Sequence, residues 1–132
     1  DQLMAILPPT HPLVEADRFP VERLRQEPFI EFLPGQETDN SRMLQQLQIR
    51  PKIRFATSDS RAAIAMVRAG LGITLLNDIL TADLADGVAV LPLDPPQSVH
   101  LGIALPEEEH VSPAAKRFIT YALDRLPELD VL

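Results

Sequence analysis

The chain has 132 residues, of which 45% are hydrophobic and 23% charged, a composition typical of a packed globular domain and unlike that of a disordered segment. Nineteen acidic residues against twelve Lys and Arg give a formal charge of -7, which disfavours nucleic-acid binding by this chain alone, because that binding needs cations to neutralise phosphates. There is no cysteine, which excludes disulfides and thiolate sites and suits a cytoplasmic protein. No apolar run approaches the ~20 residues that span a bilayer, so no membrane partner is expected.

Strands and helices are predicted to alternate, because short apolar runs bounded by turn formers are followed by segments with helical spacing of apolar residues. In chain order the predicted elements are strand 3–7, helix 21–25, strand 29–33, helix 42–48, strand 52–56, helix 61–69, strand 73–76, helix 77–84, strand 88–91, strand 99–105 and a helix that begins at Pro113. This alternation indicates an α/β fold with a largely parallel sheet. The first strand begins so near the first residue that we expect the chain to be part of a longer protein.

The helices are expected to have polar caps and one apolar face each. Asp39, Asn40 or Ser41 should cap the helix over 42–48. The predicted apolar face of the helix over 61–69 consists of Ala63, Ile64, Val67 and, beyond its end, Leu71. The predicted apolar stripe of the last helix consists of Ala115, Phe118, Ile119, Ala122, Leu123 and Leu126.

Two glycines, Gly70 and Gly72, lie in the segment MVRAGLGITLL over residues 66–76. A dinucleotide-binding fingerprint needs three glycines after a strand and at the start of a helix. Here the helix comes first and the strand second, and the third glycine is missing. The pattern therefore predicts a helix that ends at Gly70 and a close backbone approach, with no phosphate or nucleotide cofactor.

No motif in the sequence indicates catalysis. The three histidines, His11, His100 and His110, lack partners at metal-ligand spacing, so no metal site is expected, and His11 before Pro12 is predicted to be a surface turn residue. Ser58 and Ser60 lie outside any nucleophile-elbow pattern. The acidic run over residues 107–109 is predicted to be a solvated loop. No catalytic residue, metal or cofactor is therefore assigned, and the chain is expected not to be an enzyme.

Two polar loops follow predicted strands and are the candidate binding elements. Residues 57–60 open a helix, whose free N–H groups and dipole favour an anion. Residues 34–41 follow the strand over 29–33. In an open parallel sheet, ligands bind beyond the carboxyl ends of the strands, where both loops are expected. Simple helix capping is the alternative interpretation.

The order of these pieces resembles the C-terminal effector-binding domain of LysR-type transcriptional regulators. The most specific piece is MVRAGLGITLL; LMAILPPTHPL, EPFIEF, PKIRFATSDSRAAIA, VHLGIAL and SPAAKRFITYAL occur in matching order. The resemblance covers essentially the whole chain. One departure is Asn77, where family members commonly have proline after the strand.

The resemblance implies a type 2 periplasmic-binding-protein-like fold, with Rossmann-like α/β subdomains, a mostly parallel sheet and crossover strands. Residues 1–9 would form one crossover strand, residues 10–96 the second subdomain, and residues 97–132 the other crossover strand and the C-terminal helix of an incomplete first subdomain. The winged helix-turn-helix that binds DNA has no counterpart here.

The resemblance also implies a function and a site. A small-molecule effector, expected to be anionic, would bind between the subdomains of a cytoplasmic homodimer and control DNA binding by the missing N-terminal domain. The implied effector contacts are Thr57, Ser58 and Asp59, with a weaker set at Pro34, Gly35 and Gln36. The alternatives are a transport-type solute-binding protein of the same fold and a fragment of an α/β enzyme.

Overall fold

The computed structural model describes residues 1–106 and 110–126, and the chain divides into two compact units. The larger unit is Gln2–Val99, and the smaller comprises Asp1 and His100–Leu132. The elements of the larger unit are β1 (Leu3–Leu7), β2 (Phe19–Pro20), the 3-10 helix η1 (Val21–Arg25), β3 (Pro28–Phe32), α1 (Asp39–Gln46), β4 (Lys52–Thr57), α2 (Ser60–Arg68), β5 (Thr74–Asn77), α3 (Asp78–Thr81) and β6 (Ala89–Asp94). The smaller unit contains α4, Pro113–Arg125.

The strands of the larger unit form a mixed sheet. One hydrogen-bonded sheet has the order β2-β6-β1-β5, and β3 pairs with β4. A parallel bridge between Phe29 and Ile73 places β3 beside β5. The β2–β6 and β3–β4 pairs are parallel, as the alternation predicts, whereas β1 is antiparallel to both β5 and β6. The strand that opens the chain is thus the antiparallel member of the sheet.

The helices cover the two faces of this sheet. On one face, Met43 of α1 and Leu24 of η1 pack with the buried side chains of β1 and β6. On the other face, Ile64 and Val67 of α2 pack against Ile30 of β3. β4 lies at the edge, and its side chains are mostly exposed.

The helix caps differ in part from the prediction. α1 begins at Asp39, three residues before the predicted start, because Thr38 caps it. The Thr38 hydroxyl accepts the Ser41 N–H at 3.1 Å, and the Ser41 hydroxyl oxygen accepts the Thr38 N–H at 2.8 Å. This reciprocal arrangement satisfies the N–H groups of Thr38 and Ser41, so Ser41 takes part in the cap from within the first turn, while Thr38 is the N-cap residue. α2 begins after Asp59, within the predicted capping segment.

Gly70 ends α2 as predicted. It adopts φ +77°, its N–H donates to the carbonyl of Val67 at 2.8 Å, and the Leu71 N–H donates to the carbonyl of Met66 at 3.1 Å. These two bonds form a Schellman motif. The prediction that Leu71 joins the buried face of α2 is wrong, because the left-handed residue turns the chain away, and Leu71 is 42% exposed.

Residues 99–105 do not form the predicted strand. Next to this segment, Gln2 and Ser98 make an isolated antiparallel bridge, and residues 101–105 have no strand partner among the described residues. An extended apolar run becomes a strand only when a neighbouring backbone accepts its hydrogen bonds. α4 starts at Ser112–Pro113 as predicted, but its apolar stripe is not buried in the described structure.

Candidate functional site

The two predicted binding loops lie side by side. Phe32, the last residue of β3, is the register partner of Thr57, the last residue of β4. The ladder continues into the loops, because the Leu33 N–H donates to the Thr57 carbonyl at 2.9 Å. The parallel pairing of β3 and β4 therefore brings residues 34–36 and 57–59 to the same end of the sheet.

The loop at residues 57–59 is organised as the N-terminal cap of α2. An Asp59 carboxylate oxygen accepts the Ala62 N–H at 2.9 Å, and the Asp59 N–H donates to the Thr57 hydroxyl oxygen at 3.1 Å. The side chain of Asp59 thus brings its own negative charge to the positive end of the helix. Ser58 and Arg61 are exposed beside it.

The loop after β3 contains left-handed backbone at two positions. Gly35 has φ +73° and Leu33 has φ +54°, a region that leucine seldom adopts. Pro34, Gly35 and Gln36 are exposed, and the Gln36 N–H donates to the Leu33 carbonyl at 3.3 Å. Unusual backbone conformations of this kind occur often at binding sites, so Leu33, which also lines the cavity described next, is a candidate site residue that the sequence patterns missed.

A small cavity of about 260 Å³ lies where β3 and β5 end and α1 and α3 begin. Its lining residues are Phe32, Leu33, Glu37, Thr38, Asp39, Asn40, Arg42, Asn77 and Leu80. The Arg42 guanidinium forms ion pairs with Asp39 and, at 3.6 Å, with Glu37. The hydrogen bond and charge of Asp39 are the main causes of the raised pKa of Arg42. With two carboxylates around one guanidinium, the cavity has no unpaired cation among its described lining residues.

Asn40 connects α1 to the sheet. Its side chain is about nine-tenths buried, and its Nδ2 donates to the Leu75 carbonyl at 2.8 Å. Asn40 was predicted as a possible cap and is instead a buried residue of the first turn. Asn40 lies three residues before Met43 and four before Leu44, and therefore on the apolar face of α1. This spacing is the sequence signal that indicates its burial.

His11 is a buried structural residue, contrary to the prediction of a surface turn. Its Nδ1 accepts the Leu13 N–H at 3.1 Å, and its Nε2 lies 3.3 Å from a carboxylate oxygen of Glu27, which also binds Arg23 at 3.0 Å. The contacts with Glu27 and with the ring of Phe19, which come from later parts of the chain, accompany the burial of His11.

Residues 1–106 and 110–126 contain no group of three His, Asp or Glu side chains arranged to hold a metal ion. Within the same ranges no helix has the length and apolar character needed to cross a membrane. The acidic run over 107–109 lies outside the described residues.

Comparison with known proteins gives consistent matches over nearly the whole chain. Residues 1–127 match the family described as the LysR substrate binding domain. The chain is similar to the HTH-type transcriptional regulator YnfL of Escherichia coli K12, with 26% identity over 96% of this chain and 44% of YnfL. It is also 31% identical to the HTH-type regulator YwbI of Bacillus subtilis 168, over 92% of this chain and 42% of YwbI. The chain thus spans less than half the length of these relatives.

The fold is similar to that of solved effector-binding domains. The C-terminal domain of a probable LysR family regulator from Rhodococcus sp. RHA1 superposes with a TM-score of 0.73 and 24% identity, over 92% of this chain and 63% of that domain. The effector-binding domain of QuiR in complex with shikimate gives a TM-score of 0.71 and 22% identity, over 97% of this chain and 62% of that one. The architecture is therefore the α/β fold of type 2 periplasmic binding proteins, and the chain belongs to the LysR substrate-binding domain family.

Proposed function

We propose that this chain senses a small-molecule effector for a cytoplasmic transcriptional regulator and is not an enzyme. The observation that carries the proposal is the family match over residues 1–127, together with the meeting of two polar loops at the carboxyl ends of β3 and β4. DNA would be bound by a winged helix-turn-helix outside this chain. That division of labour fits the formal charge of -7.

The effector is proposed to contact Thr57, Ser58 and Asp59, with Pro34, Gly35 and Gln36 as a second set. An anionic group of the effector would approach the Ser58 hydroxyl and the N–H groups of the first turn of α2, beside the guanidinium of Arg61. The Arg61 side chain supports this choice, because it is exposed and pairs with no described carboxylate. Asp59 would fix the first turn of α2 through its hydrogen bond from the Ala62 N–H. Its own negative charge would limit how much negative charge the bound effector can carry.

Control of DNA binding requires that the effector bind two arrangements of the intact protein with different affinity. We propose that residues 10–96 form the second subdomain and that residues 1–9 and 97–105 connect it to the first. An effector held between the subdomains would change their angle. The regulator is proposed to act as a homodimer, so that this change alters the spacing of two DNA-binding domains.

The site is tested by a thermal-shift screen of small carboxylates on the intact regulator, followed by calorimetric titration of each hit. Ser58→Ala and Arg61→Gln are each expected to weaken binding about tenfold, since a hydrogen bond to a charged group contributes about 1.5–3 kcal/mol. Thr10→Ala, an exposed hydroxyl on the loop after β1, is the matched control and should leave affinity unchanged. Unchanged affinity in both site variants would reject this placement.

The regulatory role is tested by DNA binding of the intact protein with and without the effector. The expected result is a shift in affinity for its operator or in the length of DNA that it protects. Catalytic turnover of the bound compound would instead favour the enzyme alternative.

A further inference from the structure

The cavity at the ends of β3 and β5 is next to the loop over residues 34–36. Leu33 and Glu37, on either side of that loop, both line the cavity. Its volume of about 260 Å³ is smaller than that of most complete small-molecule sites. The cavity therefore suits one part of a ligand whose remainder lies over the polar loops.

The charged side chains of the cavity are engaged with one another. The Arg42 guanidinium pairs with Asp39 and, at 3.6 Å, with Glu37, and these three are all the charged residues of the described lining. An anionic group would find no unpaired cation here, and a cationic group would compete with Arg42 for the same carboxylates. The polar groups that remain for a ligand are uncharged.

The Asn77 carboxamide lines the cavity and has no structural partner in the described part of the chain. It is half-buried, it does not cap α3, and it forms no hydrogen bond with a described residue. The backbone φ of -66° is open to proline and to most other residues, so the local conformation does not require asparagine. An amide that no protein group satisfies is available to a ligand, as both a donor and an acceptor.

Asn40 presents a second uncharged group at the same cavity. It is about nine-tenths buried, and its Nδ2 donates to the Leu75 carbonyl at 2.8 Å, which leaves Oδ1 as the other end of the amide. That oxygen is buried and has no hydrogen-bond partner among the described residues. Because a buried acceptor without a donor is unfavourable, the cavity favours a ligand group that donates a hydrogen bond.

We propose that this cavity determines effector specificity by receiving an uncharged, hydroxyl-bearing part of the effector. A hydroxyl group both donates and accepts, so it matches the unpaired Asn40 Oδ1 and the Asn77 carboxamide. The anionic group of the same molecule lies at Ser58 and Arg61. The inference rests on the proposed function and names the class of effector, a hydroxylated carboxylic acid.

The probes are carboxylic acids that differ in their hydroxyl groups. Gluconate, hexanoate and 6-aminohexanoate share a six-carbon chain with a carboxylate, and they carry hydroxyls, no further polar group and an ammonium, respectively. Shikimate and cyclohex-1-ene-1-carboxylate give the same comparison of a hydroxylated and an unhydroxylated acid on a ring. Calorimetry with the intact regulator measures each affinity.

At least one hydroxylated acid is expected to bind about tenfold more tightly than its unhydroxylated partner, since two neutral hydrogen bonds contribute roughly that factor. The proposal is overturned if neither hydroxylated acid binds, or if neither binds more tightly than its partner. Tightest binding of 6-aminohexanoate would also overturn it, because the cavity would then select a cation.

Asn77→Pro removes the carboxamide at a backbone position that accommodates proline. It should reduce the preference for the hydroxylated acid by about threefold to tenfold and leave the affinity for the unhydroxylated partner unchanged. Asn77→Ala checks this result without a proline. Gln26→Ala, which removes an exposed carboxamide elsewhere in the larger unit, is the matched control and should change neither affinity. Equal changes in both affinities in the Asn77 variants, or an unchanged preference, would reject the assignment.

Ser58→Ala separates this inference from the proposed function. It should weaken a hydroxylated acid and its partner by the same factor, because both carry the carboxylate. If it does so and the hydroxyls add no affinity, the anion placement is supported and the hydroxyl inference is rejected. If the hydroxyl preference is present and is lost in Asn77→Pro while Ser58→Ala changes neither affinity, the hydroxyl inference is supported and the anion placement is rejected.

Discussion

Asn40 shows how one polar side chain can complete a sheet. Among the described residues, a single bridge at Ile73, just before β5, joins this segment to β3, and the Leu75 carbonyl, two residues further along the chain, accepts a hydrogen bond from the Asn40 Nδ2 at 2.8 Å. The side chain thus supplies the donor that a neighbouring strand would otherwise provide. It also fixes the first turn of α1 beside the candidate site.

Replacement of Asn40 by alanine should therefore destabilise the fold. Asn40→Ala leaves the buried Leu75 carbonyl without its donor, and we expect the free energy of unfolding to fall by about 1–3 kcal/mol. Urea denaturation followed by circular dichroism measures the loss. Gln46→Ala, an exposed change on the same helix, is the control and should stay within about 0.5 kcal/mol. Similar losses in the two variants would show that the Asn40 bond contributes little.

Asn77 adopts a backbone conformation that proline can share. Its φ is -66°, and its side chain makes no capping hydrogen bond to α3. The Asp78 N–H, one residue later, donates to the Gln2 carbonyl at 2.9 Å, so the Asn77 N–H points away from β1 in the alternating antiparallel ladder.

Asn77→Pro is thus expected to keep the fold and to raise the free energy of unfolding by up to about 1 kcal/mol, through the lower entropy of the unfolded chain. Chemical denaturation is the measurement, with Asn77→Ala as the reference for loss of the side chain. A decrease above about 1 kcal/mol would mean that the Asn77 N–H has a partner that the variant removes.

At the scale of elements, the two glycines between α2 and β5 have different physical roles. Gly70 takes the left-handed position that ends α2, and a Cβ there would meet no atom within 4 Å. At Gly72, with φ +157°, a Cβ would lie 2.5 Å from the carbonyl oxygen of Pro28, the residue that opens β3. The first glycine permits a turn, and the second permits β3 and the start of β5 to approach each other.

Alanine substitutions should separate these roles. Gly70→Ala is expected to cost about 1–2 kcal/mol, the penalty of a left-handed alanine. Gly72→Ala should cost clearly more, because conformational strain adds to a clash between backbone atoms. Thermal and urea unfolding of the two variants give the order directly. A larger loss at Gly70 would contradict the close approach inferred at Gly72.

At the scale of the whole molecule, the apolar side chains of the smaller unit are largely exposed. In α4, Phe118 is 66%, Tyr121 61% and Leu123 57% exposed, and Leu101 is 54% exposed in the preceding segment. Phe118 and Tyr121 are three residues apart and so share one face of α4, and exposed apolar helix faces commonly contact other protein surface.

We expect the 132-residue chain to bind the dye ANS and the double variant Phe118→Ser/Leu123→Ser to bind less of it. The same variant should leave the free energy of unfolding within about 0.5 kcal/mol, because neither side chain is buried. ANS fluorescence measures dye binding, and urea denaturation measures the free energy of unfolding. Ile79→Ser, which removes an exposed apolar side chain from α3 in the larger unit, is the control for loss of apolar surface outside α4. Destabilisation above about 1 kcal/mol would show that the stripe packs within this chain.

The sequence by itself determined most of the elements, because periodicity, prolines and caps act over a few residues. Val21–Arg25 and the strand at residues 3–7 have the predicted bounds, and the Gly70 turn has the predicted role. The family resemblance, which depends on the order of such local pieces, is confirmed by the match over residues 1–127. The placement of the effector at Thr57, Ser58 and Asp59 stays a prediction.

Only the tertiary structure decided which residues share an environment. The antiparallel direction of β1, the burial of His11 and Asn40, and the lack of a strand partner for residues 101–105 in the described part of the chain all depend on neighbours that are distant in sequence. Hydrophobic patterning shows that a side chain or backbone needs a partner, but it does not identify that partner. The small cavity at the ends of β3 and β5 arises in the same way, because its lining comes from two separate segments that only folding brings together.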